Sequence, residues 1–220
     1  RRLSSSLSYI LDSRIDFLTG KELVKPPAKL GSILSFITFA QEIASAMDRT
    51  GFKPHYVDCN AISPSTSKKV DSVIGDVGGN FIDGGIVGPG PGTRERATTM
   101  YVSGPNTDAV KVIDGPHIEI IDLGAEIGKA SAAKMCYAAI TKGSWTLYTT
   151  ALLAAEAFGV SNQLHTALKL SRPSIWVDIE KMLPRLPLDS GRWIGEMEEI
   201  ADTMKDAGAS PNFHRGAAET

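Results

Sequence analysis

Gly124-Ala-Glu-Ile-Gly-Lys-Ala-Ser-Ala-Ala-Lys134-Met-Cys-Tyr-Ala-Ala-Ile-Thr-Lys-Gly143 decides how this chain divides. It closes a strand-like apolar run, His117-Ile-Glu-Ile-Ile-Asp-Leu123, and opens the longest helical pattern in the sequence. The periodicity predicts a helix from about Ile127 to Phe158, with Gly159 as its stop. At 1.5 Å per residue that helix would be roughly 48 Å long, enough to run along or between domains. One face of its first half carries Ala130, Lys134, Ala138 and Thr141, with Ser131 and Tyr137 beside them. Small residues flank a single ammonium, so another group can come close there. A lone lysine on an Ala-rich helix is, on that evidence alone, most often a solvated charge.

Upstream, strand and helix patterns alternate. Ile33–Phe39 reads as a short apolar strand, 40–47 as a short helix closed near Gly51, and Pro54–Cys59 as a second strand. Ser63-Pro64 has the form of an N-cap followed by proline at the first helical position, and opens a helix through about Val77. Asn80–Asp83 is a third strand, Gly84–Gly92 a loop dense in glycine and proline, and Thr98–Ser103 a fourth strand. A short helix around 107–112 precedes the strand at 117–123. Such alternation predicts a parallel α/β sheet. Beyond Gly124 every pattern is helical: the long helix, then 162–170, 173–183 and 193–207. Gly208 and Pro211 end the last of these, and the tail to Thr220 is expected to be loose. The fold class is therefore α/β followed by all-α, with domains 1–123 and 124–220 and one long connecting helix. Near the start, Leu3, Leu7, Ile10 and Leu11 have helical spacing, broken by Thr19-Gly20 and Pro26-Pro27.

Composition narrows the function classes. The 220 residues carry a formal net charge of -2, which argues against nucleic acid as an electrostatic partner. The two cysteines, Cys59 and Cys136, form no Cys-x-x-Cys, so neither a disulfide framework nor a metal site is expected. A reducing, cytoplasmic setting is the default. No apolar run has the length of a membrane span, so no membrane partner is expected. Arg1-Arg-Leu-Ser-Ser-Ser is basic and Ser-rich but does not read as a secretory signal.

The glycine loop fits a phosphate cradle poorly. Gly84-Gly85 and Gly88-Pro-Gly-Pro-Gly92 match neither Gly-x-Gly-x-x-Gly nor a P-loop, and no helix opens directly behind them. Prolines also remove backbone donors. Two readings remain: a stiff loop lying against a ligand, or a tight connection between strands.

Three stretches in order, Val57-Asp-Cys-Asn-Ala-Ile-Ser-Pro64, Phe81-Ile-Asp-Gly-Gly-Ile-Val-Gly-Pro89 and Gly128-Lys-Ala-Ser-Ala-Ala-Lys134, together resemble the β-hydroxyacid dehydrogenase superfamily. That superfamily includes 6-phosphogluconate and 3-hydroxyisobutyrate dehydrogenases. Lys134-Met-Cys-Tyr-Ala-Ala-Ile-Thr-Lys-Gly143 looks like its branch with a C-terminal domain of unknown function. The resemblance covers roughly residues 18–208. It implies a Rossmann-like domain binding NADP or NAD, then a helical domain whose long helix helps to make a homodimer. It places the family's proton-transferring lysine on Lys134. Asn60, Ser63 and Gly128 fall at the cofactor, while Gly84, Gly85, Val87, Gly88 and Ala138 fall at a small-molecule substrate. For Asn60 and Ser63, simple turn and capping chemistry is the competing account.

The chain also departs from the family. No Gly-x-Gly-x-x-Gly precedes Ile33, and Lys21–Val24 with Ile33–Phe39 resembles a later part of the Rossmann unit. The first βαβ unit would then be missing, the chain being a fragment, a mis-assembled gene product or a natural variant. Weak cofactor binding by this chain alone is the expectation. Familiar members carry Ser-Gly-Gly in the substrate loop and Asn one turn after the lysine. Here Val87-Gly88-Pro89 and Ala138 stand there, which predicts a more apolar pocket, with Tyr137, Thr141, Lys142 and Trp145 nearby. A phosphate-binding oxidative decarboxylase would need basic residues to converge, and Arg94, Arg96, Arg172, Arg185 and Arg192 show no spacing that does so.

Overall fold

The structure is a computed structural model that describes residues 9–11, 33–88 and 98–220. Two compact units divide at Tyr137/Ala138, inside the longest helix. The change of composition at 123/124 falls ahead of that division.

The first unit contains a five-stranded sheet: β1 (Tyr9–Leu11), β2 (His55–Asp58), β3 (Asn80–Val87), β4 (Thr98–Ser103) and β5 (Ile118–Asp122), neighbours in that order. β1, β2 and β3 run parallel, and so do β4 and β5. β3 and β4 are antiparallel, with Asp83 opposite Ser103 and Gly85 opposite Tyr101. The expected parallel sheet thus carries one reversed pairing. Only ten residues, 88–97, join the two strands, fewer than a parallel crossover requires. The expected loop at Gly84 begins four residues later, because Gly84–Val87 continue β3.

α1 spans Ile33–Thr50 and corrects the expected strand at Ile33–Phe39. Aromatic and β-branched residues there imitate a strand, but Ala40, Ala44 and Met47 lie on one helical stripe and are buried. α2 (Pro64–Asp76) begins as its sequence predicts: Ser63 is the N-cap and accepts the Thr66 N–H, with Pro64 at the first position. Ala40, Ala44 and Met47 of α1 and Val70 and Ile74 of α2 pack on Tyr56 and Phe81 of the sheet. On the other side Val57, Ile82, Met100 and Val102 pack with Val110 of a 3-10 segment, Thr107–Ile113. The register Tyr56–Phe81 and Val57–Ile82 explains this split, since successive strand residues face opposite sides. Burial on both faces accounts for the nearly continuous apolar reading of β2 and β3.

α3 (Lys129–Ala157) spans the division between the units. The second unit continues with α4 (Ser161–Ser171), α5 (Pro173–Met182), α6 (Leu186–Asp189), α7 (Ile194–Asp206) and α8 (Asn212–Glu219). α8 corrects the expected loose tail: His214 is buried, and Gly143 of α3 lets it approach. A methyl group at Gly143 would stand 3.0 Å from the Phe213 ring and 3.2 Å from His214 Nε2. Among the described residues, no helix is long and apolar enough to cross a membrane. The expected Lys21–Val24 helix and the Pro89–Gly92 stretch lie outside the described residues.

Candidate active site

The centre of the first unit is a buried carboxylate. Asp83, midway along β3, is fully enclosed. Its Oδ2 accepts the Ser103 hydroxyl at 2.8 Å and the Gly128 and Ser131 backbone N–H groups at 3.0 Å each. Its Oδ1 accepts the hydroxyls of Ser67 at 3.0 Å and Ser131 at 2.5 Å. The Ser103 oxygen in turn accepts the Ala130 N–H at 3.1 Å. These amides belong to the start of α3, where N–H groups have no partner within the helix. A negative charge is favourable at that end. Thus the cap of α3 comes from the sheet instead of the residue preceding the helix.

Close approach needs the two glycines of β3. A Cβ at Gly85 would lie 2.6 Å from the Ala130 carbonyl oxygen and 3.1 Å from Lys134 Cβ. One at Gly84 would lie 2.7 Å from Cys59 Sγ and 2.8 Å from the Asp58 carbonyl oxygen. At Gly128, φ is +101°, a value that L side chains rarely adopt, and an added Cβ would press on Pro64.

With α3 seated in this way, the half-buried Lys134 donates from Nζ to the Cys59 carbonyl at 2.9 Å. Cys59 directly follows β2, so the ammonium stands at the carboxyl end of a parallel strand, where ligands bind in open α/β sheets. Beside it Asp58 is buried and accepts the Asn60 backbone N–H at 2.7 Å and the Asn60 side-chain N–H at 2.9 Å. Burial raises the Asp58 carboxyl above the usual carboxylate range. The two Asn60 bonds pull it back, Asp83 adds to the rise and Lys134 opposes it. Burial, then the neighbouring Asp58 and Cys59, push the Tyr56 hydroxyl well above its ordinary value.

Of the residues expected at a cofactor, Asn60 is half-buried and its amide oxygen accepts no hydrogen bond from the described residues. The Ser63 hydroxyl is fully buried and engaged with Thr66, and the Gly128 N–H is committed to Asp83. Of these three residues, Asn60 is therefore the one with a polar atom to offer a nicotinamide end. Of those expected at a substrate, Gly85 is buried beside Lys134, Gly84 is buried against Cys59 and the Asp58 carbonyl, Val87 is half-buried at the end of β3, and Gly88 is exposed with φ +113°. Ala138 is buried one turn beyond Lys134 and opens the second unit. Sequence reasoning missed Asp83, Ser67, Ser103 and Ser131. The available signal was an aspartate inside the apolar strand Phe81-Ile-Asp-Gly-Gly85.

The second unit holds a cavity of about 400 Å³, whose walls include Lys142, Trp145, Leu186, Trp193, Ile194 and Met197. It contains none of the residues selected from the sequence as catalytic, cofactor-binding or substrate-binding. The Lys142 ammonium pairs with Glu196 and lies 5.2 Å from the centre of the Trp193 ring. Trp145 and Trp193 sit 5.4 Å apart.

Residues 155–220 match the family described as domain of unknown function (DUF1932). A structure of a conserved hypothetical protein from Sinorhizobium meliloti superposes with a TM-score of 0.64 at 22% identity, covering 83% of this chain and 62% of that one. A conserved protein of unknown function, described as structurally similar to 3-hydroxyacid dehydrogenases, gives 0.62 at 25% identity, covering 83% and 70%. The fold is that of the β-hydroxyacid dehydrogenase-like proteins. The 3-hydroxyisobutyrate dehydrogenase of Mycobacterium tuberculosis shares it, with a TM-score of 0.60 at 18% identity over 83% of this chain and 69% of that one. In sequence, an uncharacterised 28.5 kDa protein of Methanothermus fervidus is 28% identical over 126 residues, 57% of this chain and 48% of that protein. The chain thus spans about half the length of this curated relative.

Proposed function

We propose that the chain is part of an oxidoreductase of the β-hydroxyacid dehydrogenase type that uses NADP or NAD, with Lys134 as general acid and base on a hydroxy-acid-like small molecule. The observation that carries this reading is the Lys134 ammonium held at the Cys59 carbonyl, at the carboxyl end of β2. In the reducing direction the ammonium gives a proton to the substrate oxygen, and in the oxidising direction the free amine removes it. The nicotinamide, when bound, supplies or receives the hydride. Gly85 keeps bulk away from the lysine, and the Asn60 amide oxygen offers an acceptor next to Cys59. Val87 gives the substrate side an apolar side chain in place of a group that would hold a carboxylate.

The reading extends to a homodimer in the cytoplasm. Ile140 and Leu147 form an exposed apolar row on α3, with Leu153 and, just beyond the helix, Phe158 also exposed, and apolar surface of that size is usually covered by a partner. The test is calorimetric titration of the 220-residue chain with NADPH and with NADH. We expect saturable binding weaker than micromolar. Absence of heat at millimolar cofactor would replace the reading with its runner-up, a non-catalytic homologue that keeps the helical dimerisation domain. Lys134→Ala should leave binding largely intact and lower turnover by about 10²-fold or more in a substrate screen.

A further inference from the structure

We propose that Asp83 is a positioning residue for Lys134, a sheet-borne carboxylate that sets where the α3 ammonium stands. The inference rests on the reading of Lys134 as the proton-transferring group. Both ends of the contact between Lys134 and the Cys59 carbonyl are referenced to this one side chain. On the helix side, Asp83 holds the N–H groups of Gly128 and Ser131 directly and that of Ala130 through the Ser103 hydroxyl. Lys134 follows Ser131 by three residues, which places it on the next turn of the same face. On the sheet side, Asp83 is the register partner of Asp58, the residue before Cys59.

An ordinary N-cap residue would satisfy the same amides from within the chain leading into the helix and would fix nothing about the sheet. A cap borne by β3 converts helix capping into a distance between elements. Gly85 closes that distance, because its missing side chain lets the Ala130–Lys134 turn rest on the strand. Ser67 adds a tie from α2 to the same carboxylate, and its hydroxyl bond holds none of the α3 amides.

The test is brief acetylation of the full chain with an N-hydroxysuccinimide ester, quantified lysine by lysine by peptide mass spectrometry. The Lys134 signal is taken relative to the exposed Lys68 and Lys69 of α2, so that reagent dose cancels, and Ser67→Ala controls for lowered stability. Asp83→Asn places amide hydrogens against the helix N–H groups, and relative labelling of Lys134 should rise about 5-fold, the factor for losing one modest hydrogen bond. Ser131→Ala, the milder variant in case Asp83→Asn does not fold, should give about 2-fold by removing one of the ties. Ser67→Ala should lower stability without moving the ratio. An unchanged ratio in Asp83→Asn or Ser131→Ala, or an equal rise in Ser67→Ala, overturns the proposal. Labelling uses neither cofactor nor turnover. Failure of the dehydrogenase reading would therefore appear as absent cofactor heat, while the positional link is decided by the labelling.

Discussion

Replacing Gly85 by alanine adds one methyl group where β3 and α3 touch most closely. The new Cβ would stand 2.6 Å from the Ala130 carbonyl oxygen and 3.1 Å from Lys134 Cβ. Ordinary contact begins near 3.4 Å, so the two backbones must part by about 0.8 Å. The nearest obstacle is a backbone atom that cannot rotate away. Overpacking of this kind costs roughly 1–3 kcal/mol, or about 3–10 °C in Tm for a chain of this size. If α3 moves as a rigid body, the 2.9 Å contact from Lys134 to the Cys59 carbonyl opens to about 3.7 Å, beyond a hydrogen bond. Urea unfolding followed by circular dichroism is the appropriate assay, because all three tryptophans lie in the second unit and would not report on the first. Gly75→Ala in α2 is the matched comparison: a Cβ there meets nothing within 4 Å. That change should stabilise by about 0.4–1 kcal/mol. If Gly85→Ala is as well tolerated as Gly75→Ala, the glycine is not what seats α3, and the reasoning fails.

Lys142→Met strands the Glu196 carboxylate, since their side chains are only 15% and 16% exposed. It should cost roughly 2–4 kcal/mol in urea unfolding, more than half of which Glu196→Leu in the same chain should restore. Asp58, whose folded carboxyl is raised chiefly by burial, contributes stability most fully below the ordinary aspartate value and loses it as pH rises through the folded one. Asp58→Asn should therefore compare better with the parent at pH 7 than at pH 4, and an equal difference at the two pH values would contradict this. Light scattering should give the mass of two chains, and a monomeric mass would remove the role assigned to the exposed row on α3.

Local chemistry was legible and long-range chemistry was not. Ser63-Pro64 announces α2 because a cap and a first-turn proline act within a few residues. Gly159, with φ +69°, marks the stop of α3 for the same reason. Ile33–Phe39 misled because aromatic and β-branched residues favour strands in isolation, while burial of Ala40, Ala44 and Met47 decides for a helix. α8 was missed because its anchoring depends on Gly143, far away in sequence. At the candidate site, Lys134 and the glycines of β3 were found through family resemblance. Asp83 was not, since its partners come from three separate segments whose convergence no spacing rule encodes.

That dispersal bears on the order of folding. The bonds to Asp83 join residues 16, 20, 45 and 48 positions apart. Until α2, β4 and the start of α3 have all arrived, the carboxylate is better left in water, because burying it half-satisfied is costly. Its enclosure therefore belongs late on the route to the native state. Substitutions at Ser131 should then leave the folding rate nearly unchanged and accelerate unfolding, so that this residue governs how long the folded chain persists more than how quickly it forms.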